Sequence, residues 1–123
     1  MKFLIVDDSK TILQTLRFSL EKLYYNDIVE ATNGQEALEL LKSEKIDFVI
    51  TDWNMPKMTG LDLLQLIRAE DQWKAIPVLM LTTEAEKNQI IKALKSGASN
   101  YIIKPFKIEQ LEKKIKDVLE KTQ

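Results

Sequence analysis

Four stretches of this chain end an apolar run in a group that can handle phosphate or a cation. Lys2–Val6 runs into Asp7-Asp8, and Phe48-Val49-Ile50-Thr51 runs into Asp52, with Asn54, Pro56 and Gly60 just beyond. Val78-Leu79-Met80-Leu81 runs into Thr82, and Tyr101-Ile102-Ile103 runs into Lys104 before Pro105. A carboxylate at the carboxyl end of a buried strand, opening into a loop, is placed for chemistry rather than packing. Asp52 is therefore read as a nucleophile that accepts a phosphoryl group. Three carboxylates within a few ångströms repel one another, and without a counter-charge at least one pKa must rise. A divalent cation removes that conflict, and Mg²⁺ is usually held by one or two carboxylates, waters and a phosphate oxygen. Lys104 adds a fixed positive charge and Thr82 a hydroxyl donor. In-line attack by a nucleophile, with a metal and donors around the equatorial oxygens, is what phosphoryl transfer needs.

Composition narrows the alternatives. There is no histidine and no cysteine. That excludes a Ser-His triad, a phosphohistidine carrier, disulfides and thiolate or His-ligated metal sites within these residues. A metal site here must use oxygen ligands, which suits a hard cation. The net charge is -1, from 18 basic and 19 acidic residues, which argues against a nucleic-acid or anionic-membrane surface. No apolar run approaches the roughly 20 residues of a membrane span. The apolar start ends at Asp7-Asp8, too early for a signal peptide, so a cytoplasmic protein without membrane insertion is expected. Glycine occurs only at 34, 60 and 97, so neither a GxGxxG fingerprint nor a P-loop is present.

The elements that must position these groups alternate. Lys2–Val6 reads as a buried strand. Ser9–Leu23 follows with Ile12, Leu13, Leu16, Leu20 and Leu23 on one helical face. Asp27–Ala31 is a second strand, and Asn33 with Glu36 forms a capping box for a helix to about Ser43. Asp47–Thr51 is the third strand, and Thr59 caps the third helix. Val78–Thr82 is the fourth strand; Thr83 with Glu86 forms a second capping box for a helix running to about Ser96, stopped by Gly97. Tyr101–Lys104 is the fifth strand, and Ile108, Leu111, Ile115, Val118 and Leu119 mark a last amphipathic helix. Strands that are apolar throughout suit a parallel sheet covered on both faces. With right-handed crossovers, this predicts a single α/β domain over residues 1–123, a five-stranded parallel sheet of order 2-1-3-4-5 with five helices.

Together, Val6-Asp7-Asp8-Ser9, Thr51-Asp52-Trp53-Asn54-Met55-Pro56-Lys57-Met58-Thr59-Gly60, Pro77–Thr82 and Tyr101-Ile102-Ile103-Lys104-Pro105-Phe106 resemble the motifs of two-component response regulator receiver domains. The resemblance covers essentially the whole chain and is closest to the single-domain chemotaxis regulators. It implies the flavodoxin-like receiver fold, with Asp52 as phospho-acceptor for a histidine kinase. It implies Mg²⁺ held by Asp8, Asp52 and the main-chain carbonyl of Asn54, with Asp7 assisting through water. Thr82 and Tyr101 would be the switch pair, Lys104 the phosphoryl contact, and Asn54 and Glu84 the residues that tune autodephosphorylation. The product is a phosphoprotein and signalling monomer rather than a turnover enzyme. Its phosphorylation-dependent partner would be the flagellar motor switch.

On the fourth helix Ile90 and Leu94 lie four apart, with Ile91 assigned to the core; Tyr101 and Ile103 share one side of the edge strand. Ile90, Leu94, Tyr101 and Ile103 are therefore expected to form an apolar partner face, rimmed by Lys107, Lys113 and Lys114. Departures from the pattern are Tyr24 where glycine is frequent, Thr83 after the switch threonine, and Lys107 where a capping residue is usual. A left-handed Tyr24 would cost about 1–2 kcal/mol, so a different helix end, with Asn26 as turn residue, is expected. The rival within the family is a phosphorelay intermediate or phosphate sink. An aspartate-nucleophile phosphohydrolase is disfavoured because Asn54, two residues after the nucleophile, cannot shuttle a proton. A flavodoxin is disfavoured because anionic Asp7-Asp8 would repel a cofactor phosphate.

Overall fold

The computed structural model describes residues 1–121, with the side chains of all but Glu84, Ala85 and Lys87. Five strands, β1 (Lys2–Val6), β2 (Asp27–Ala31), β3 (Phe48–Asp52), β4 (Val78–Thr83) and β5 (Asn100–Lys104), form one parallel sheet of order β2-β1-β3-β4-β5. The helices are α1 (Lys10–Lys22), α2 (Gly34–Ser43), α3 (Gly60–Ala69), α4 (Ile90–Lys95) and α5 (Ile108–Lys121). Successive strand residues point to opposite faces, and the two core layers follow that parity. Phe3, Ile5, Phe48, Ile50, Leu79 and Leu81 pack with α1 and α5. Leu4, Val6, Val49, Val78 and Met80 pack with α2, α3 and Ala93 of α4. Both layers are fully buried along β1, β3 and β4, each large apolar side chain contributing about 1.5–3 kcal/mol.

Helix starts use short polar side chains. Ser9 and Asn33 accept the amides of Ile12 and Glu36. Thr59 and Asp62 form a full reciprocal box at α3 that the sequence reading did not pick out. Glu36 does not close a box with Asn33: it accepts from the Thr32 amide and hydroxyl, one residue earlier. The fourth helical segment also differs from expectation. Glu84–Gln89 is a 3-10 turn, and α-helix begins only at Ile90. Glu86 accepts from the Thr83 amide, as a capping box would, but the Thr83 hydroxyl donates to Glu86 instead of capping the helix.

Two side-chain placements overturn the sequence reading. Tyr24 does adopt the left-handed conformation, at φ 68, and its ring is 88% exposed. The α1 terminus closes there, with Tyr24 N donating to Glu21 O and Tyr25 N to Leu20 O, so the chain needs the left-handed residue at 24 and not at Asn26. On α4, Ile90 is buried together with Ala93, whereas Ile91 is 66% and Leu94 43% exposed. Starting at Ile90 sets the helix phase so that Ile90 and Ala93 face the sheet, which turns Ile91 and Leu94 outward. Gly97 is left-handed, at φ 106, as expected of a helix stop. Arg68 of α3 secures that end: its Nε donates to Gly97 O at 2.9 Å and its Nη1 to Ile76 O at 2.6 Å and Lys74 O at 3.2 Å.

Candidate functional site

Parity and register bring the charged groups together. Asp7, Asp52 and Lys104 continue the series Phe3-Ile5, Phe48-Ile50 and Ile102, all on the α1/α5 face of the sheet. Val6 pairs with Thr51, which places Asp7 level with Asp52. Lys104 lies two residues beyond Ile102, which is level with Leu81 and so with Asp52. Its long side chain bends back: Nζ is 3.0 Å from Asp52 Oδ1 and 3.5 Å from Asp7 Oδ2. The Lys104–Pro105 peptide bond is cis.

Asp7 and Asp52 are buried and Asp8 is exposed, yet one oxygen of each lies within 4.8 Å of the others. Asp7 Oδ1 also accepts the Ser9 amide at 2.9 Å, tying the carboxylate to the start of α1. Burial pushes the Asp52 carboxyl above its ordinary range. The bond from Lys104 pulls it back, and the neighbouring Asp7 charge pushes it up again. Asp7 is raised for the same first reason, against the pull of the Ser9 amide and Lys104. Lys104 is lowered by burial but raised more by Asp52 and Asp7, and its net shift is upward. Both members of this ion pair thus shift up, because two buried carboxylates share one ammonium. The three carboxylates form an oxygen-only cluster whose excess negative charge a divalent cation would neutralise, and this group of residues could hold a metal ion.

Thr82 has the opposite parity, that of Val78 and Met80, and is fully buried. Its Oγ1 has no hydrogen-bond partner among the described residues. Unpaired buried hydroxyls are rare, and this one lies one residue past the level of Asp52. Tyr101 and Ile103 share that side of β5, and both are half-buried. The Tyr101 ring packs against the α2–α4 core layer and carries Lys114 Nζ 4.3 Å from its centroid. Asn54 is exposed in the loop after β3, while its neighbours Trp53 and Met55 are buried. The Glu84 side chain lies outside the described residues.

Gly60 is a positioning residue that the sequence reading noticed only as part of the turn. Its N–H donates to Trp53 O at 2.9 Å, and a Cβ there would collide with the carbonyl oxygen of Asp52. The β3–α3 loop is thereby folded onto the backbone of the acceptor, and Lys57 takes a left-handed conformation, φ 69, to make the turn. Only a residue without Cβ admits this approach. The proximity of glycine to the strand end was the available signal, but the direction of the contact was not.

Residues 3–116 match the response regulator receiver domain family. The chain is 47% identical over 120 residues to a chemotaxis protein CheY homolog of Campylobacter jejuni subsp. jejuni, covering 97% of this chain and 92% of that one. It is 45% identical over 121 residues to chemotaxis protein CheY of Pseudomonas aeruginosa, covering 98% of each. Among solved structures, chemotaxis response regulator CheY4 of Vibrio cholerae superposes with a TM-score of 0.87 at 37% identity, over 95% of this chain and 97% of that one. A response regulator receiver domain protein from Clostridium thermocellum gives 0.87 at 34% identity, over 98% and 94%. These neighbours share the flavodoxin-like receiver fold described above. No helix among the described residues is long and apolar enough to cross a membrane.

Proposed function

The chain belongs to the response regulator receiver domain family, and from that premise we propose that it is a phosphorylation-activated switch of the chemotaxis type. The observation that carries this reading is the buried Asp52 carboxylate, 3.0 Å from Lys104 Nζ and grouped with Asp7 and Asp8. Asp52 accepts the phosphoryl group of a partner histidine kinase: an Asp52 oxygen bonds to phosphorus as the bond to the donor imidazole breaks. Asp8, Asp52 and the Asn54 carbonyl, assisted by Asp7, would hold Mg²⁺, which would supply the positive charge that phosphoryl oxygens require. Lys104 pairs with a phosphoryl oxygen in place of part of its present contact with Asp52. Thr82, whose buried hydroxyl lacks a partner, donates to another.

The phosphoryl group adds roughly -1.5 to -2 charge and three acceptors. Thr82 turning toward it vacates space on the α4 side, and Tyr101 turns inward to fill it. The output face is the outer side of α4 with β5: Ile91 and Leu94 are its exposed apolar residues, flanked by Tyr101 and Ile103. Lys113 and Lys114, beside Tyr101 on α5, suit an acidic partner peptide. The relatives' names support a role in chemotaxis; on this reading the partner is the flagellar motor switch, and the chain acts as a cytoplasmic monomer with one receiver domain over residues 1–123. Asn54 and Glu84 set how long the phosphoryl group stays, and an amide at 54 favours a held group over general phosphatase turnover. The test is acetyl phosphate with Mg²⁺ followed by intact mass. Wild type gains one phosphoryl adduct and Asp52→Asn gains none; equal behaviour of the two rejects the reading.

A further inference from the structure

The carboxylate of Glu86 is folded back onto the end of β4. Its Oε1 accepts from the Thr83 amide at 3.0 Å and from the Thr83 hydroxyl at 3.1 Å. Thr83 directly follows Thr82, whose buried hydroxyl has no partner. Glu86 therefore holds the backbone next to that hydroxyl in place. It also projects its charge toward the acceptor, adding to the negative field felt by Asp52. Its two described hydrogen bonds both go to Thr83, so no cation is seen to neutralise it among the described residues.

We propose that Glu86 is a charge-sensitive restraint on the end of β4, pinning Thr83 in the resting chain and pushed away by a dianionic group on Asp52. The inference rests on the phosphoryl-acceptor reading of Asp52. Phosphorylation adds charge of the same sign as Glu86 within a poorly screened site. Repulsion withdraws the carboxylate, which frees the Thr83 amide and hydroxyl together. Thr82 is then released to turn its hydroxyl toward the phosphoryl oxygens. The same repulsion opposes phosphoryl transfer, so Glu86 both slows entry into the active state and keeps the resting state closed. Glu86 is a positioning residue: it acts through Thr83 and through its charge, and makes no contact with the reacting atoms.

The test measures the second-order rate constant for phosphorylation by acetyl phosphate with Mg²⁺, by intact mass, on the full chain. Wild type, Glu86→Gln and Glu86→Lys are compared. Glu86→Gln, which keeps an acceptor for Thr83 but no charge, should react about three-fold faster than wild type at low salt, and Glu86→Lys faster still. The gain should shrink markedly between about 0.05 and 0.5 M salt, since a purely structural change would not respond to screening. Rates for both variants equal to wild type, or a difference indifferent to salt, overturn the proposal while leaving Asp52 as acceptor. A wild-type chain that takes no phosphoryl group overturns both readings at once.

Discussion

Lys104 Nζ lies 3.0 Å from Asp52 Oδ1, so the last residue of β5 is bonded to the last residue of β3 across the full width of β4. Burial pulls the Lys104 pKa down, but the bond to Asp52 and the charges of Asp52 and Asp7 outweigh it and hold the net value above the ordinary 10.5. A raised lysine pKa stabilises the fold fully below its unfolded value, and that contribution is lost as pH rises through the folded one. Lys104→Met should therefore cost about 1–3 kcal/mol at neutral pH, by leaving two buried carboxylates without their ammonium. Urea unfolding at a series of pH values checks this: the gap between wild type and variant should close above pH 10.5.

The paired carboxylates give the opposite sign. Burial first of all raises Asp52 and Asp7 above the ordinary 3.8, so the folded chain holds these protons more tightly than the unfolded one. Their contribution favours folding at low pH and turns into a penalty as pH rises from 3.8 through the raised values. In metal-free buffer at pH 7, Asp52→Asn should raise Tm by about 3–6 °C. Mg²⁺ should raise the wild-type Tm at pH 7, by less as the pH is lowered toward 3.8 and the raised carboxyls take up protons, and should do little for Asp52→Asn. Scanning calorimetry with and without Mg²⁺ measures all of these.

Thr82→Ala should leave stability within about 0.5 kcal/mol, because the hydroxyl it removes is buried and unpaired in the resting chain. Phosphoryl uptake at Asp52 should continue, while phosphorylation no longer changes partner affinity. Denaturant melts, intact mass and a binding titration on the same preparation separate these effects.

Tyr24→Gly should stabilise the chain by about 1 kcal/mol. The left-handed backbone at φ 68 penalises a side chain, and a ring that is 88% exposed contributes little packing in return. The urea midpoint should rise with an unchanged slope.

On α4, Ile91→Asp and Leu94→Asp should abolish binding of the phosphorylated chain to the proposed partner, the motor switch, without moving Tm by more than about 2 °C. Ile90→Asp should instead unfold or severely destabilise the protein, because Ile90 is buried. Calorimetry beside a binding titration shows which residues face the partner and which face the sheet.

The apolar runs were enough to place β1, β3 and β4, because a strand buried on both faces must be apolar throughout; β2 and β5 followed from the strand–helix alternation, and the order from right-handed crossovers. They also placed the ends of β1, β3, β4 and β5 at one sheet edge, which is why Asp7, Asp8, Asp52 and Lys104 could be grouped before any coordinates. The register that makes Lys104 reach Asp52 could not be seen, since it depends on pairing across strands and not on local pattern. Ile90 and Ile91 were assigned the wrong way round because helical phase depends on where the helix begins. The 3-10 turn at Glu84–Gln89 delays that start, and the small Ala93 that marks the packed side carries little weight in a hydrophobic pattern. Tyr24 was misread for a related reason. Propensity opposes a left-handed tyrosine, but the hydrogen bonds that close α1 leave its backbone no other course. The Thr83–Glu86 spacing did predict the carboxylate folding back onto the Thr83 amide, but not that its charge would bear on Asp52, which depends on how the β4 end sits beside β3.

The three carbonyl oxygens gathered by Arg68 give the segment from Thr83 to Lys95 unequal ends. Its far end is riveted through Gly97 to the body of α3, while at its near end the Glu86 carboxylate folds back onto Thr83, the last residue of β4, level with Lys104 of β5. With Gly97 clamped by Arg68, a displacement at the Asp52 end would diminish along the 3-10 turn and α4 toward Gly97. Ile91 and Leu94 sit partway along, so an event at the acceptor would re-aim them through a small angle about the Gly97 pivot.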